Sequence, residues 1–370
     1  MTRVYLDHNA SSPLRPEARA AMIAAMDACG NPSSIHAEGR AARAIMEGAR
    51  EKIARAMGAR PANVIFTSGG TEAANAAIFA ARQALGGATV LAGAAEHPCV
   101  LKRADQRLAV SADGVIDMRR LRAEVSGAAV IALQDANNET GVRQPLGAVA
   151  ELALERGALF ICDAVQTAGR VGVSDNSRRA DMVFISAHKF GGPQGAGAII
   201  LNRDMPFDAL LSGGGQERGQ RGGTENVAAI AGTAAALEAA EADRERFAAW
   251  AAAAQRRLES ALRSIAPDTV IFGDGAPRIP NTTCFAAPGV SAEIALMALD
   301  LEGVAVSSGS ACSSGKVAPS HVLAAMGTAP DLAKCAIRVS TGWNTTEADI
   351  DRFLEVWEKI YARLRPRAAA

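Results

Sequence analysis

The sequence has 370 residues, 49% of them hydrophobic and 35 of them glycine, which favours a globular enzyme with two domains or one large domain and a smaller one. Its 39 basic and 39 acidic residues cancel to a formal net charge of zero, so the charge gives no reason to expect a nucleic-acid partner. No apolar run reaches about 18 residues, the length that predicts a membrane span.

The cysteines and histidines argue against a metal site and for a reducing compartment. Six cysteines are scattered without Cys-x-x-Cys pairing, and none of the five histidines stands at metal-ligand spacing. Unpaired cysteines in a chain of this size indicate reduced thiols. Because the first residues also lack the pattern of a signal peptide, we expect a cytoplasmic protein.

The amino-terminal part predicts one short strand and two helices. Strand Val4–Asp7 is followed by the turn-rich stretch His8–Pro13, where we expect no catalytic role. Helix Pro16–Ala28 has a proline at its start, and helix Glu38–Met57 closes at Gly58.

The middle of the chain alternates apolar runs with helical runs, a pattern typical of an α/β sheet. The predicted strands are 63–67, 88–92, 128–133, 158–162, 181–186 and 195–201, and the predicted helices are 73–85, 97–108 and 145–156. The second half begins with a glycine-dense loop over 213–223 and a long helical stretch over 226–265. It continues with predicted strands 269–272, 282–285 and 337–340 and predicted helices 292–301 and 346–364, typical of a small α+β domain.

A lysine follows the predicted strand 181–186, where the ligands of an open α/β sheet collect. Lys189 stands among small residues and beside His188, so it is a candidate imine-forming amine. Ser186 and His188 could hold an anionic group such as a phosphate. The alternative is that Lys189 is a solvated surface charge.

Two other strand ends carry candidate ligand groups. Gly70 and Thr71 lie between a strand and a helix, where free N–H groups bind anions, although a plain turn with Thr71 as the helix N-cap fits equally well. His97 could stack on an aromatic ligand or move protons, or it could simply cap the following helix.

Two further strand ends complete the set. Asn138 could bind a ligand oxygen or belong to a tight turn. Asp163 ends an apolar strand, where a carboxylate needs a cation such as a protonated ring nitrogen. The alternative is that Asp163 caps the next helix. Gln166 follows Asp163 and is a candidate for the same site. Together the five strand ends suit a phosphate, a pyridinium nitrogen, a phenolic oxygen, a ring face and an aldehyde carbon, which describe pyridoxal 5′-phosphate.

Motifs in the same order along nearly the whole chain resemble those of the fold-type I pyridoxal-phosphate enzymes, and among them the cysteine desulfurases of the NifS/IscS type. The similar segments are 5–10, 66–72, 96–97, 137–141, 163–166, 186–189, 213–218, 221–224, 307–314 and 337–338. The resemblance implies a large domain over 13–245 with a mainly parallel seven-stranded sheet. It implies a smaller α+β domain over 246–370, joined by the amino-terminal segment 1–12.

The resemblance also implies a role for each matching residue. Lys189 would bond to the cofactor, Asp163 would pair with its ring nitrogen, and His97 would stack on its ring. Arg338 and Asn138 would bind the substrate, with Arg338 on the substrate carboxylate, a geometry that suits arginine. The remaining residues would contact the ring oxygen (Asn138 and Gln166) or the phosphate (Gly70, Thr71, Ser186, His188 and, from the neighbouring subunit of a homodimer, Thr224).

Cys312 stands in a run of small polar residues and glycines, the profile of a reactive cysteine, although an incidental loop cysteine has the same profile. The resemblance implies that its thiolate takes the sulfur of L-cysteine as a persulfide, releases alanine, and passes the sulfur to an iron–sulfur scaffold or another acceptor. The alternatives are a selenocysteine lyase, an aminotransferase or β-lyase of the same fold, and a non-catalytic sulfur-assembly subunit.

Overall fold

The computed structural model describes residues 3–125, 129–172, 175–308 and 320–365. In chain order the strands are β1 (Val4–Tyr5), β2 (Val64–Thr67), β3 (Thr89–Gly93), β4 (Gln106–Leu108), β5 (Ala129–Gln134), β6 (Leu159–Asp163), β7 (Met182–Ser186), β8 (Gly197–Leu201), β9 (Val270–Ile271), β10 (Thr282–Ala286), β11 (Val304–Ala305), β12 (Ser307–Ser308) and β13 (Ala336–Ser340). The helices are α1 (Pro16–Met26), α2 (Ala37–Met57), α3 (Gly70–Ala84), α4 (Pro98–Leu101), α5 (Met118–Glu124), α6 (Leu146–Arg156), α7 (Asp175–Arg178), α8 (Val227–Ala242), α9 (Arg244–Ile265), α10 (Ala292–Leu301), α11 (His321–Ala325), α12 (Pro330–Ala333) and α13 (Glu347–Leu364).

The larger sheet has seven strands in the order β2-β8-β7-β6-β5-β3-β4. Strand β8 is antiparallel to both of its neighbours, and the other strands run in one direction. Gln134 pairs with Asp163, and Asp163 pairs with Phe184, so the carboxyl ends of β5, β6 and β7 lie side by side. This confirms the predicted α/β fold and places the strand-end residues at one edge.

Helices cover both faces of this sheet, which explains the continuous apolar runs of its central strands. Side chains alternate along β7: Val183 and Ile185 pack into the core that α2, α6 and α8 share, whereas Met182 and Phe184 pack against α3. Every residue of β5, β6 and β7 is buried. In the described ranges no helix is long and apolar enough to cross a membrane.

The smaller sheet is antiparallel, with the order β12-β13-β10-β9. Its core centres on Trp357, which meets Phe285 edge to face at 5.1 Å between ring centroids. The amino-terminal segment joins this core because β1 pairs with β11 and Leu6 is fully buried there. The domain limits 13–245 and 246–370 remain our proposal.

Two predicted helices differ from the structure. The helix predicted over 97–108 ends at Leu101, because Asp105 hydrogen-bonds Val90 through its backbone and its carboxylate and the chain then adds β4 to the sheet. The helix predicted over 226–265 is two helices, α8 and α9, which meet at Asp243. Neither break carries a glycine or proline, the signals that ordinarily reveal one.

Candidate active site

A cavity of about 290 Å³ opens at the carboxyl edge of the larger sheet. It is lined by ten of the twelve predicted site residues, namely Gly70, Thr71, His97, Asn138, Asp163, Gln166, Ser186, His188, Lys189 and Arg338. Thr224 is exposed and lines a different, smaller cavity beside β2. Cys312 lies outside the described residues. The structure therefore brings together groups from five strand ends and from β13, far along the chain.

The amino terminus of α3 forms one wall of the cavity. The helix begins at Gly70, with Gly69 as its N-cap, so Thr71 lies in the first turn and is not the cap. A methyl group at Gly70 would lie 3.2 Å from Ser186 Cβ, which shows how closely these two backbones approach. The first N–H groups of a helix have no partner within it, so they are free to bind an anion.

Lys189 reaches the amino-terminal segment. Its Nζ donates hydrogen bonds to the backbone oxygens of Asn9 (2.6 Å) and Ala10 (2.9 Å), and both of these residues line the cavity. The sequence predicted no catalytic role for His8–Pro13 and did not place this stretch beside the lysine. Backbone carbonyls carry no sequence signature, and about 180 residues separate them from the lysine.

Asp163 is a buried carboxylate in the cavity wall. Its Oδ1 accepts a hydrogen bond from the Val165 backbone (2.8 Å), and no helix follows it directly, so it is not a helix cap. Burial raises the pKa of Asp163 to about 6, and the charge of Lys189 opposes that rise. Burial also raises the pKa of the neighbouring Glu96 well above its usual range. Asp163 is thus the carboxylate that a cation in this cavity would stabilise.

His97 both caps α4 and faces the cavity. Its Nδ1 accepts a hydrogen bond from the Cys99 backbone (3.2 Å) and lies 2.9 Å from Cys99 Sγ. Burial, helped by the charge of Lys189, lowers the pKa of His97 to about 4, so the ring is neutral at neutral pH. Since Nδ1 accepts, Nε2 carries the proton and is the nitrogen left for a ligand.

Arg338 is a buried guanidinium, 1% exposed. Its Nη1 donates to the Asn138 backbone oxygen (3.0 Å) and its Nη2 to Asp7 Oδ1 (2.7 Å). Its Nε has no hydrogen-bond partner within the described part of the chain. Because these two bonds use only two of its five N–H donors, the guanidinium can take an incoming carboxylate.

The cysteines that the structure describes differ in their burial. Cys162 and Cys284 are fully buried, and burial raises the pKa of both thiols. Cys99 was not singled out, yet it lines the cavity, and burial raises the pKa of its thiol to about 12. A thiol with such a pKa stays protonated and is a poor nucleophile. Among the described residues no group of three His, Cys, Asp or Glu side chains could hold a metal ion.

Comparisons with known proteins agree with this geometry. The chain matches the family model described as aminotransferase class-V over residues 4–353. A cysteine desulfurase of Cereibacter sphaeroides is 42% identical over 99% of this chain and 97% of its own length. A solved structure described as a NIFS-like protein has a TM-score of 0.90 and 31% identity, covering 98% of this chain and all (100%) of that one. The structure "SspA in complex with cysteine" has a TM-score of 0.78 and 28% identity, covering 91% of this chain and 98% of that one.

Proposed function

We propose, since this chain belongs to the aminotransferase class-V family, that it is a cysteine desulfurase that uses pyridoxal 5′-phosphate to convert L-cysteine to L-alanine. The sulfur would pass to Cys312 as a persulfide. The observation that carries the proposal is the convergence on one cavity of the Lys189 amine, the buried Asp163 carboxylate and the buried Arg338 guanidinium.

The cavity fits the cofactor by the chemistry of its donors and acceptors. The first N–H groups of α3, with Ser186 and His188, would hold the phosphate. Asp163 would accept a hydrogen bond from the pyridinium nitrogen, which supplies the cation that this buried carboxylate lacks. When bound, pyridoxal phosphate supplies an aldehyde that captures the substrate amine and a ring that withdraws electrons from the α-carbon.

Three groups of this chain would act on the substrate. Arg338 would bind the carboxylate of L-cysteine through N–H donors that Asn138 and Asp7 leave unused. Lys189 Nζ would take the α-proton, and His97 Nε2 faces the same cavity as a second group able to hold a proton. The neutral His97 ring would also stack on the cofactor, since a buried uncharged imidazole packs well against an aromatic face.

Cys312 would perform the sulfur transfer. Its thiolate would bond to the substrate sulfur, the bond between that sulfur and Cβ would break, and the electron pair would stay with carbon, where a proton completes alanine. Both ends of the segment that contains Cys312 are held near the cavity. Ser307 pairs with Arg338 on the adjacent strand, and His321 Nε2 lies 2.9 Å from the Glu96 backbone oxygen.

The variant Cys312→Ala tests this assignment. We expect it to bind cofactor and substrate, seen as the absorbance change that L-cysteine produces, and to release no sulfide. Cys29→Ala, which removes an exposed thiol elsewhere, is the matched control and should keep full turnover. A Cys312→Ala protein with normal turnover would instead indicate an aminotransferase or β-lyase. A higher turnover on selenocysteine than on cysteine would indicate a selenocysteine lyase.

The partners follow from the same proposal. The persulfide sulfur would pass to an iron–sulfur scaffold or another acceptor protein. The chain would act as a homodimer in which the exposed Thr224 reaches the cofactor phosphate of the neighbouring subunit. A cytoplasmic location stays a prediction, supported by the free thiols of the five cysteines that the structure describes.

A further inference from the structure

Arg170 lies under the active-site cavity and contacts its residues, although the function proposed above gives it no role. The side chain is 3% exposed, and all five of its N–H donors are used. Nε and Nη2 donate to the Lys189 backbone oxygen (3.1 and 2.7 Å), and Nη2 also donates to the His8 backbone oxygen (2.7 Å). Nη1 donates to Asn9 Oδ1 (2.8 Å) and Gln166 Oε1 (2.5 Å).

Every one of these acceptors is neutral. No ion pair among the described residues involves Arg170, and the charged group that acts on it, Arg338, is a second cation. Burial lowers the pKa of Arg170 to about 9, so the guanidinium is still charged at neutral pH. A buried cation without a counter-ion is costly, and an anionic ligand in the cavity above it would offset that cost.

Arginine has no acceptor, and this fixes the orientation of Gln166. The amide atom that faces Arg170 must be the oxygen, so the amide nitrogen faces the other way. That nitrogen gives one hydrogen to the Asn9 backbone oxygen (3.2 Å), and its second hydrogen has no acceptor in the described part of the chain. Gln166 lines the cavity, so it presents a donor there and not an acceptor.

The same guanidinium fixes the segment that holds the lysine amine. Asn9 Oδ1 accepts from Arg170, while the backbone oxygen of Asn9 accepts from Lys189 Nζ. Arg170 also ties down the backbone of Lys189 itself. The Arg170 side chain thus contacts Asn9 and the Lys189 backbone, which hold the lysine amine in place, and it also contacts the side-chain amide of Gln166 in the cavity wall.

We propose that Arg170 is a positioning residue that holds Gln166 as a hydrogen-bond donor toward the ring oxygen of the bound cofactor. The inference rests on the proposed function, because that oxygen belongs to pyridoxal phosphate. Arg170 itself does not line the cavity, so its effect on cofactor binding passes through Gln166.

The test is a double-mutant cycle on the Kd of pyridoxal phosphate for the full-length apoprotein. Arg170→Met and Gln166→Ala should each weaken binding about tenfold, the effect of one hydrogen bond to a charged oxygen. The Kd of the double variant should not exceed the higher Kd of the two single variants, because both changes remove the same interaction. All three variants should share one shifted absorption maximum of the bound cofactor.

Two further variants keep the test decisive. If Arg170→Met fails to fold, Arg170→Gln keeps a polar side chain whose amide can accept as well as donate and so no longer fixes the orientation of Gln166; in that background Gln166→Ala should change the Kd less than twofold. Arg15→Met is the matched control: Arg15 is 7% exposed and donates to the Phe190 backbone oxygen (3.2 Å), and neither residue lines the cavity. It should leave the Kd and the absorption maximum unchanged.

Two results would overturn the role of Arg170. Additive losses of affinity in the double variant, or an unshifted absorption maximum in Arg170→Met, would show that Arg170 does not act through Gln166. A wild-type chain that does not bind pyridoxal phosphate would overturn the proposed function and this inference together. Wild-type binding with additive losses would overturn the role of Arg170 alone.

Discussion

Replacing the buried carboxylate of Asp163 should have opposite effects on stability and on cofactor binding. The pKa of Asp163 is raised from 3.8 to about 6, with burial as the largest cause. This rise of about two units corresponds to about 3 kcal/mol, at 1.36 kcal/mol per unit. In the apoprotein the ionised carboxylate therefore destabilises the fold at neutral pH.

The direction of the stability change follows from the linkage between protonation and folding. When the pKa of a carboxyl group is higher in the folded protein than in the unfolded chain, the free energy of unfolding falls as the pH rises between the two pKa values. Asp163→Asn cannot ionise, so its apoprotein should match wild type below about pH 4 and exceed it by up to about 3 kcal/mol above pH 6. The variant should bind pyridoxal phosphate more weakly and form alanine about 100-fold more slowly, because the pyridinium loses its counter-ion.

Urea unfolding of the apoprotein at several pH values measures the stability difference. Asp135→Asn is the control: Asp135 is also buried but pairs with Arg143 (2.9 Å), so its replacement should destabilise the fold. An Asp163→Asn apoprotein that is less stable than wild type at neutral pH would refute the reasoning, as would a stability difference that does not change between about pH 4 and pH 8.

Two other predictions concern ion pairs. Asp7→Asn removes the carboxylate partner of Arg338 (2.7 Å), so the free energy of unfolding of the free protein should fall by about 1.5–3 kcal/mol, and the KM for L-cysteine should fall because the substrate carboxylate meets an uncompensated cation; a raised KM would contradict this account. Glu217→Gln breaks the ion pair between Glu217 and Arg50, two side chains that are each 2% exposed, and should lower the free energy of unfolding by about 3–5 kcal/mol. The exposed pair of Glu238 is the control, and Glu238→Gln should change stability by under about 1 kcal/mol; equal losses in the two variants would contradict the burial argument.

The sequence predicted best what depends on local pattern. Apolar runs separated by helical runs located the six strands β2, β3, β5, β6, β7 and β8 to within about two residues, since buried parallel strands are continuously apolar. Because all of those strands except β8 run in one direction, the polar residues at the carboxyl ends of the other five had to lie at one edge. That rule is sufficient to predict that His97, Asp163 and Lys189 meet in one cavity, as they do.

What the sequence did not reveal depends on contacts between distant segments. The backbone oxygens of Asn9 and Ala10 reach Lys189 because β1 pairs with β11, some 300 residues along the chain, and the segment after β1 then leads to the cavity. Arg170 lies four residues after Gln166 in a turn, and a lone arginine there is ordinarily a surface residue. Its burial depends on four neutral oxygens from three separate segments, an arrangement that no spacing rule encodes.

The most direct test of the central claim is mass spectrometry of the peptide that contains Cys312, after the cofactor-loaded protein has reacted with one equivalent of L-cysteine. We expect one added sulfur atom on Cys312 and one equivalent of alanine in solution. The protein without pyridoxal phosphate should show neither. Alanine formed while Cys312 stays unmodified, or sulfur found on Cys99 or Cys29 instead, would contradict the proposed function.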